Sequence, residues 1–220
     1  MNKILTATLL TFTLSIFSQE NKKVNPIDFV PKNYNLVEEI YGDLNKDGID
    51  DCVLIIKGTD KNKFISTESG EKLDRNRRGI IVLFKNDLNY EIAVKNYKCF
   101  ASENEEGGNY FAPEFSAEIK RGNLYFNYGH GRYGFWKYTF RYKNSDFELI
   151  GFDRSNGGVV IESETSINFL TKMKREKVNT NENADGGDEI FTQTKSKIKT
   201  NKLIKLSEII DIDELDMSVY

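Results

Sequence analysis

The sequence predicts an all-β protein, a mostly antiparallel meander. It would be built either as propeller-like blades or as an open sandwich, with a strand-rich C-terminal extension. Three observations predict this. Short β-branched and aromatic runs recur between polar turns. In FWKYTFRY, Trp136, Tyr138, Phe140 and Tyr142 alternate with Lys137, Thr139 and Arg141, the period of a strand with one buried and one wet face. Finally, the sequence holds no long amphipathic helical stretch, so helices have no apolar stripe with which to build a layer.

The elements follow in order. Residues 1–18, MNKILTATLLTFTLSIFS, carry one early Lys, an apolar run of 14 residues from Ile4 to Phe17, and a small residue at Ser18. This is the pattern of a secretory signal peptide, and the run is shorter than the roughly 20 residues that span a bilayer. Cleavage is expected after Ser18 or Gln19. Residues 19–33 form a polar leader with two prolines. A β core is expected over residues 34–153. Its first strands are Tyr34 to Tyr41, Val53 to Lys57, Ile80 to Phe84 and Tyr90 to Tyr97. The apolar VLII and IIVLF runs read as strands buried on both faces. Residues 58–78 are polar and too long for an ordinary hairpin turn. A second group comprises Phe115 to Lys120, Asn123 to Tyr128, the FWKYTFRY strand, and Asp146 to Phe152. Arg121-Gly122-Asn123 marks a tight hairpin within it. Residues 154–220 read as a C-terminal β extension with an acidic tail. Ser166 to Val178, Ile190 to Lys199 and Leu203 to Leu206 are its candidate strands, and SEIIDIDELDMSVY reads as a short helix or a tail.

The chain has 31 basic and 34 acidic residues, and loss of Lys3 with the signal takes the net charge from −3 to −4. No basic stripe suggests a nucleic-acid partner, and no later segment is apolar enough to span a membrane. The expected location is secreted or periplasmic. In that setting Cys52 and Cys99 can oxidise. In a simple meander their strands are not neighbours and lie roughly 9–10 Å apart, beyond disulfide reach. A loop after the second strand could close the gap; buried thiols are the alternative.

The chemistry-bearing stretch is GDLNKDGIDDCVLII, residues 42–56. Asp43, Asn45, Asp47 and Asp51 stand at positions 1, 3, 5 and 9, with Gly48 at 6 and the Ile49 carbonyl at 7. Hard oxygens in this spacing suit Ca²⁺, which takes six to eight oxygen ligands at about 2.3–2.6 Å. Gly48 permits the turn that wraps the chain back. The expected metal residues are therefore Asp43, Asn45, Asp47, Ile49 and Asp51, and the expected cofactor is one structural Ca²⁺. Position 12 is Leu54, not a bidentate Glu, and the flanks are strands, so this is no ordinary EF-hand. The bland alternative is that Asp, Asn and Gly only cap a polar turn.

YGDLNKDGIDDCVLII resembles the calcium loops of FG-GAP and VCBS-type repeats, which sit between strands of β-propeller blades. One copy is present. Residues 41–153 are also similar to a family of exported bacterial all-β proteins, through GDLNKDGIDD, GIIVLF, GGNYFAPEFS at 107–116 and FRYKNSDFELIG at 140–151. SINFLTKMK resembles the extension of some members. The resemblance implies export and an all-β core, and implies no activity.

Other motifs carry less. GHGRYG at 129–134 matches G-x-G-x-x-G but precedes a strand, where a dinucleotide site needs a helix. GGDEI at 186–190 lacks the helices of cyclic-dinucleotide synthases. His130 is the only histidine, which removes multi-histidine zinc sites. Glu103, Glu105 and Glu106 offer carboxylates but read as a solvated loop. Tyr110, Phe111, Tyr133, Phe135 and Trp136 lie near glycine-rich loops and could stack on a sugar; alternation buries Trp136 and turns Phe135 outward. The expected function is a non-enzymatic binding or interaction role at the cell envelope, with an unidentified protein or glycan as partner. The alternatives are a carbohydrate-active enzyme or sugar-binding accessory, and an inhibitor or protective partner of another secreted protein.

Overall fold

Residues 22–68, 70–104 and 112–220 of this computed structural model are described, and they form antiparallel sheets throughout. The strands are β1 (Lys22–Lys23), β2 (Tyr34–Gly42), β3 (Asp51–Gly58), β4 (Phe64–Ser66), β5 (Lys72–Asp74), β6 (Arg78–Asn86) and β7 (Asn89–Phe100). They continue with β8 (Glu114–Lys120), β9 (Asn123–Gly129), β10 (Gly134–Lys143), β11 (Asp146–Gly157), β12 (Ile161–Asn168), β13 (Met173–Asn179) and β14 (Phe191–Lys197). One sheet has the order β1-β7-β6-β3-β2. A second has the order β14-β13-β12-β11-β10-β9-β8, and the antiparallel sheets include one curled into a half-barrel. β4 and β5 make a small hairpin in the polar stretch between β3 and β6. The helical content is short 3₁₀ turns.

The two large sheets pack face to face, so the arrangement is a sandwich with one curled layer. One core joins Val53, Ile55, Ile80, Val82, Val94 and Phe100 to Leu124, Phe126, Phe140, Phe147 and Leu149 of the second sheet. Aromatic contacts cross it: Phe84 meets Tyr142 edge-on at 4.6 Å, and Phe100 meets Phe126 at 5.0 Å. The VLII reading is upheld in detail. Val53 and Ile55 face this core, while Cys52, Leu54 and Ile56 face a second cluster with Ile81, Leu83 and Tyr90. Full burial of such a side chain is worth roughly 1.5–3 kcal/mol.

The second cluster is closed by Phe29, from a 3₁₀ turn at Pro26–Phe29. The leader is thus tied to the fold, since Lys22 and Lys23 also pair with Glu91 and Tyr90. The stretch expected as one strand over 166–178 belongs to two, β12 and β13. Asn168 accepts from the N–H groups of Leu170 and Thr171, and Lys172 takes φ +55°, so the chain turns back between β12 and β13. Leu203 to Leu206 is not a strand. Lys205 makes a single bridge to Glu148, and a 3₁₀ turn follows at Leu206–Glu208.

The acidic C-terminus is no loose tail: it holds two 3₁₀ turns, Leu206–Glu208 and Met217–Val219, in an otherwise irregular segment. Leu206, Ile209, Ile212 and Met217 are buried in the central core. Its backbone is held at several points. Asn96 donates to the carbonyls of Leu206 and Ile209, the Ile212 N–H donates to Cys99, and the Tyr138 hydroxyl donates to Ile212. Arg77 pairs with Asp211. Charged residues alternate with apolar ones here: Ile212 and Met217 enter the core, while Glu214 and Asp216 are exposed.

Cys52 and Cys99 are both free and buried. β6 lies between their strands, and the two side chains belong to different clusters. Burial pushes the Cys52 thiol up to about 12 and raises the Cys99 thiol as well.

Candidate functional site

The acidic loop connects β2 to β3 and is internally bonded. The Asp43 carboxylate accepts from the N–H groups of Lys46 (2.5 Å) and Gly48 (3.0 Å). Asn45 Oδ1 accepts from Asp47 N–H at 2.9 Å, and Asp47 Oδ1 accepts from Ile49 N–H at 2.8 Å. Asn45 Nδ2 donates to Asp47 Oδ2 at 2.8 Å. These are Asx-type turns, in which a side chain bonds its own backbone two residues on. They need left-handed backbone at Lys46 (φ +67°) and Gly48 (φ +87°), which glycine takes at no steric cost.

Asp51 behaves differently. It is fully buried, and its carboxylate accepts from Leu44 N–H (2.8 Å), Asn45 N–H (3.2 Å) and Lys85 N–H (3.1 Å). It therefore clasps the start of the loop to β6. A carboxylate has about four lone-pair directions, so three of Asp51's are spent on backbone. Burial raises its pKa, the three N–H groups oppose that, and the charge of Asp47 adds to the rise. Leu44, buried in the central core, pins the loop from inside. The loop also touches the other sheet: the Lys46 stem packs over Gly122 in the β8–β9 turn, and Gly42 lies against Ile119. One short segment so joins the β2–β3 hairpin, β6 and the β8–β9 hairpin.

Asp43, Asn45 and Asp47 supply oxygens of the kind a hard cation takes, and the structure brings the three together. Among the described residues, no group of three His, Cys, Asp or Glu side chains stands close enough together to hold a metal ion. Any cation here would thus depend on the Asn45 amide and on a backbone carbonyl such as that of Ile49, whose residue is partly exposed. Two anchored carboxylates and a clasp describe the loop better than four equivalent ligands.

The other sequence candidates are dispersed. Glu103 pairs with Lys57 at 2.6 Å, and Lys57 also meets Asp74 at 3.0 Å. Glu105, Glu106, Tyr110 and Phe111 lie outside the described residues. GHGRYG forms a 3₁₀ turn from Gly131 to Tyr133 that leads into β10, so a strand follows it. GGDEI lies in the loop before β14, where Glu189 accepts from the N–H groups of Ile161 and Gly187. Tyr133 and Phe135 are exposed, and Trp136 packs partly buried against the core.

A cavity of about 250 Å³ lies beside Trp136. Tyr138, Phe152, Arg154, Asp213 and Asp216 complete most of its wall. Trp136 stacks on Tyr128 with centroids 5.1 Å apart and planes 7° from parallel, and it pairs across the strands with Arg154. Behind it the Tyr128 hydroxyl is buried near Asp213, without a hydrogen bond of normal geometry among the described residues. Burial raises the Asp213 pKa, and the Ala101 N–H only partly offsets this. Asp213 and Asp216 escaped sequence reasoning because the acidic end read as a tail, and Arg154 because only the cross-strand pairing with Trp136 sets it beside them. The alternation IIDIDELDM was the available signal. A larger groove of about 540 Å³ runs beside Tyr34, Thr59 and Lys98, and two of its polar side chains are paired internally: Asn76 with Asp60 and Asp74, and Arg77 with Asp211.

No family model, curated protein or solved structure matches this chain.

Proposed function

We propose that this chain is an exported, non-enzymatic β-sandwich protein with a binding role at the cell envelope, whose loop at 43–51 holds one structural Ca²⁺. The observation that supports it best is the loop's anchoring. Asp43, Asn45 and Asp47 are each fixed by backbone N–H groups, and Asp51 ties the loop to β6. Asp43, Asn45, Asp47 and the Ile49 carbonyl would hold the ion, and Asp51 would add its remaining lone pair. The ion would supply positive charge to a crowded set of carboxylates and stiffen a segment that touches both sheets. The signal-like residues 1–18 support export, and the exported product should begin at Gln19 or Glu20 by N-terminal sequencing.

Calcium would stabilise by mass action, since the unfolded chain has no preformed cage. At a hundredfold excess over Kd the gain is about 2.7 kcal/mol. For a domain of this size that is roughly 5–11 °C in Tm. Thermal unfolding in calcium and in chelator tests this, beside Asp47→Ala. The expected result is a calcium-dependent rise that the variant loses. An equal response in the variant would overturn the site assignment.

A second reading, a sugar-binding accessory, is favoured by one observation: Trp136 shares its cavity with Arg154 and two carboxylates.

A further inference from the structure

We propose that the cavity between β10, β11 and the C-terminal segment binds a single pyranose sugar unit, a proposal that rests on the sugar-binding reading above. A pyranose has a C–H-rich face and a rim of hydroxyl groups. It therefore needs an apolar ring beside planar, charged hydrogen-bonding partners. The cavity supplies both. Trp136, Tyr138 and Phe152 form its apolar wall, and Arg154, Asp213 and Asp216 its polar one. Its volume of about 250 Å³ is below the roughly 300–1,000 Å³ of drug-sized sites, which suits one ring.

The polar groups are held in place by protein contacts that leave capacity for a ligand. The Ala101 N–H holds Asp213 Oδ2 at 3.2 Å. Asp216 Oδ1 accepts from Ser218 N–H at 2.9 Å and Ser218 Oγ at 2.6 Å, while Asp216 Oδ2 accepts nothing among the described residues. Arg154 donates Nε to Asn156 at 2.6 Å and has no ion-pair partner among the described residues. A guanidinium and carboxylates of this kind take vicinal hydroxyls in pairs, with charge-assisted bonds stronger than neutral ones. Because Tyr128 covers one face of Trp136, the sugar would use the ring's remaining surface.

Trp136 is the only tryptophan in the chain, so its fluorescence reports on this cavity alone. The experiment titrates the folded protein with glucose, galactose and mannose, and with their methyl glycosides. The expected result is a saturable fluorescence change with at least one hexose. Arg154→Met and Asp216→Asn should each weaken the response at least tenfold without changing the unfolding temperature. Binding of free hexose but not of the glycoside would place a free sugar in the cavity, with its anomeric hydroxyl enclosed. Binding of both would place the terminal unit of a glycan there. No saturable change with any of the six probes, or a change that neither variant weakens, would overturn the proposal. Retention of the protein on an immobilised glycan, undiminished in Arg154→Met and Asp216→Asn, would overturn this cavity while leaving the sugar-binding reading to another surface, so the two can fail separately.

Discussion

Asp51→Ala probes the clasp beneath the acidic loop. Asp51 is fully buried and accepts from three backbone N–H groups, those of Leu44, Asn45 and Lys85. Alanine removes every acceptor at once. A buried donor left unsatisfied costs about 1–3 kcal/mol. Leu44 is buried and bears that cost fully, whereas Asn45 and Lys85 are only partly buried and recover some water. A total of about 3 kcal/mol follows, or roughly 6–12 °C in Tm for a domain of this size. Asp51→Asn keeps one oxygen acceptor and removes a buried charge, so its cost should be nearer 1 kcal/mol. Urea unfolding followed by Trp136 fluorescence, in chelator so that no metal contributes, compares the three proteins. An alanine variant within about 0.5 kcal/mol of the parent, the range of ordinary surface changes, would refute the clasp.

Three further outcomes are expected. Deleting residues 203–220 removes Leu206, Ile209, Ile212 and Met217 from the core; at about 2–5 kcal/mol per large core truncation, the cooperative unfolding transition should be lost, and a retained sharp transition would contradict the packing. Lys57→Ala should cost about 1 kcal/mol at neutral pH. Burial acts against the charged forms of Lys57, Asp74 and Glu103, yet hydrogen bonds and opposite charges outweigh it, raising the Lys57 pKa and lowering both carboxylates. The triad's contribution is therefore present above the ordinary carboxylate range and lost as pH falls through the depressed values. It is also lost at high pH, as the raised Lys57 pKa is passed. Urea midpoints across pH for parent and variant should converge at both extremes; a constant gap would contradict the linkage. Lastly, Cys52 and Cys99 should stay inert to a thiol reagent until denaturant is added, because burial disfavours both thiolates. Detection of a Cys52–Cys99 disulfide would contradict the strand order.

Much of the sandwich was legible because its strands obey simple periods. Trp136, Tyr138 and Phe140 sit on one face as alternation requires, and Phe135 is exposed on the other. VLII reads as doubly buried and is. The break between β12 and β13 was not legible because SINFLTKMK alternates through its own turn, which Asn168 and the left-handed Lys172 make without Gly or Pro. The C-terminal segment was hidden for a different reason. Its charge pattern suggests solvent, but its isoleucines and methionine fill a gap that exists only once two sheets meet. At the acidic loop, spacing identified the residues, yet it could not separate Asp43, Asn45 and Asp47, which bond within the loop, from Asp51, which bonds across to β6. That distinction depends on a strand 34 residues away in sequence.

The most direct test of the calcium assignment is calorimetric titration of chelator-treated protein with Ca²⁺, beside Asp43→Ala. One ion per chain, with binding lost in the variant, is the expected result. No binding heat and no metal retained by the parent protein would contradict it and leave the loop as a clasped polar turn.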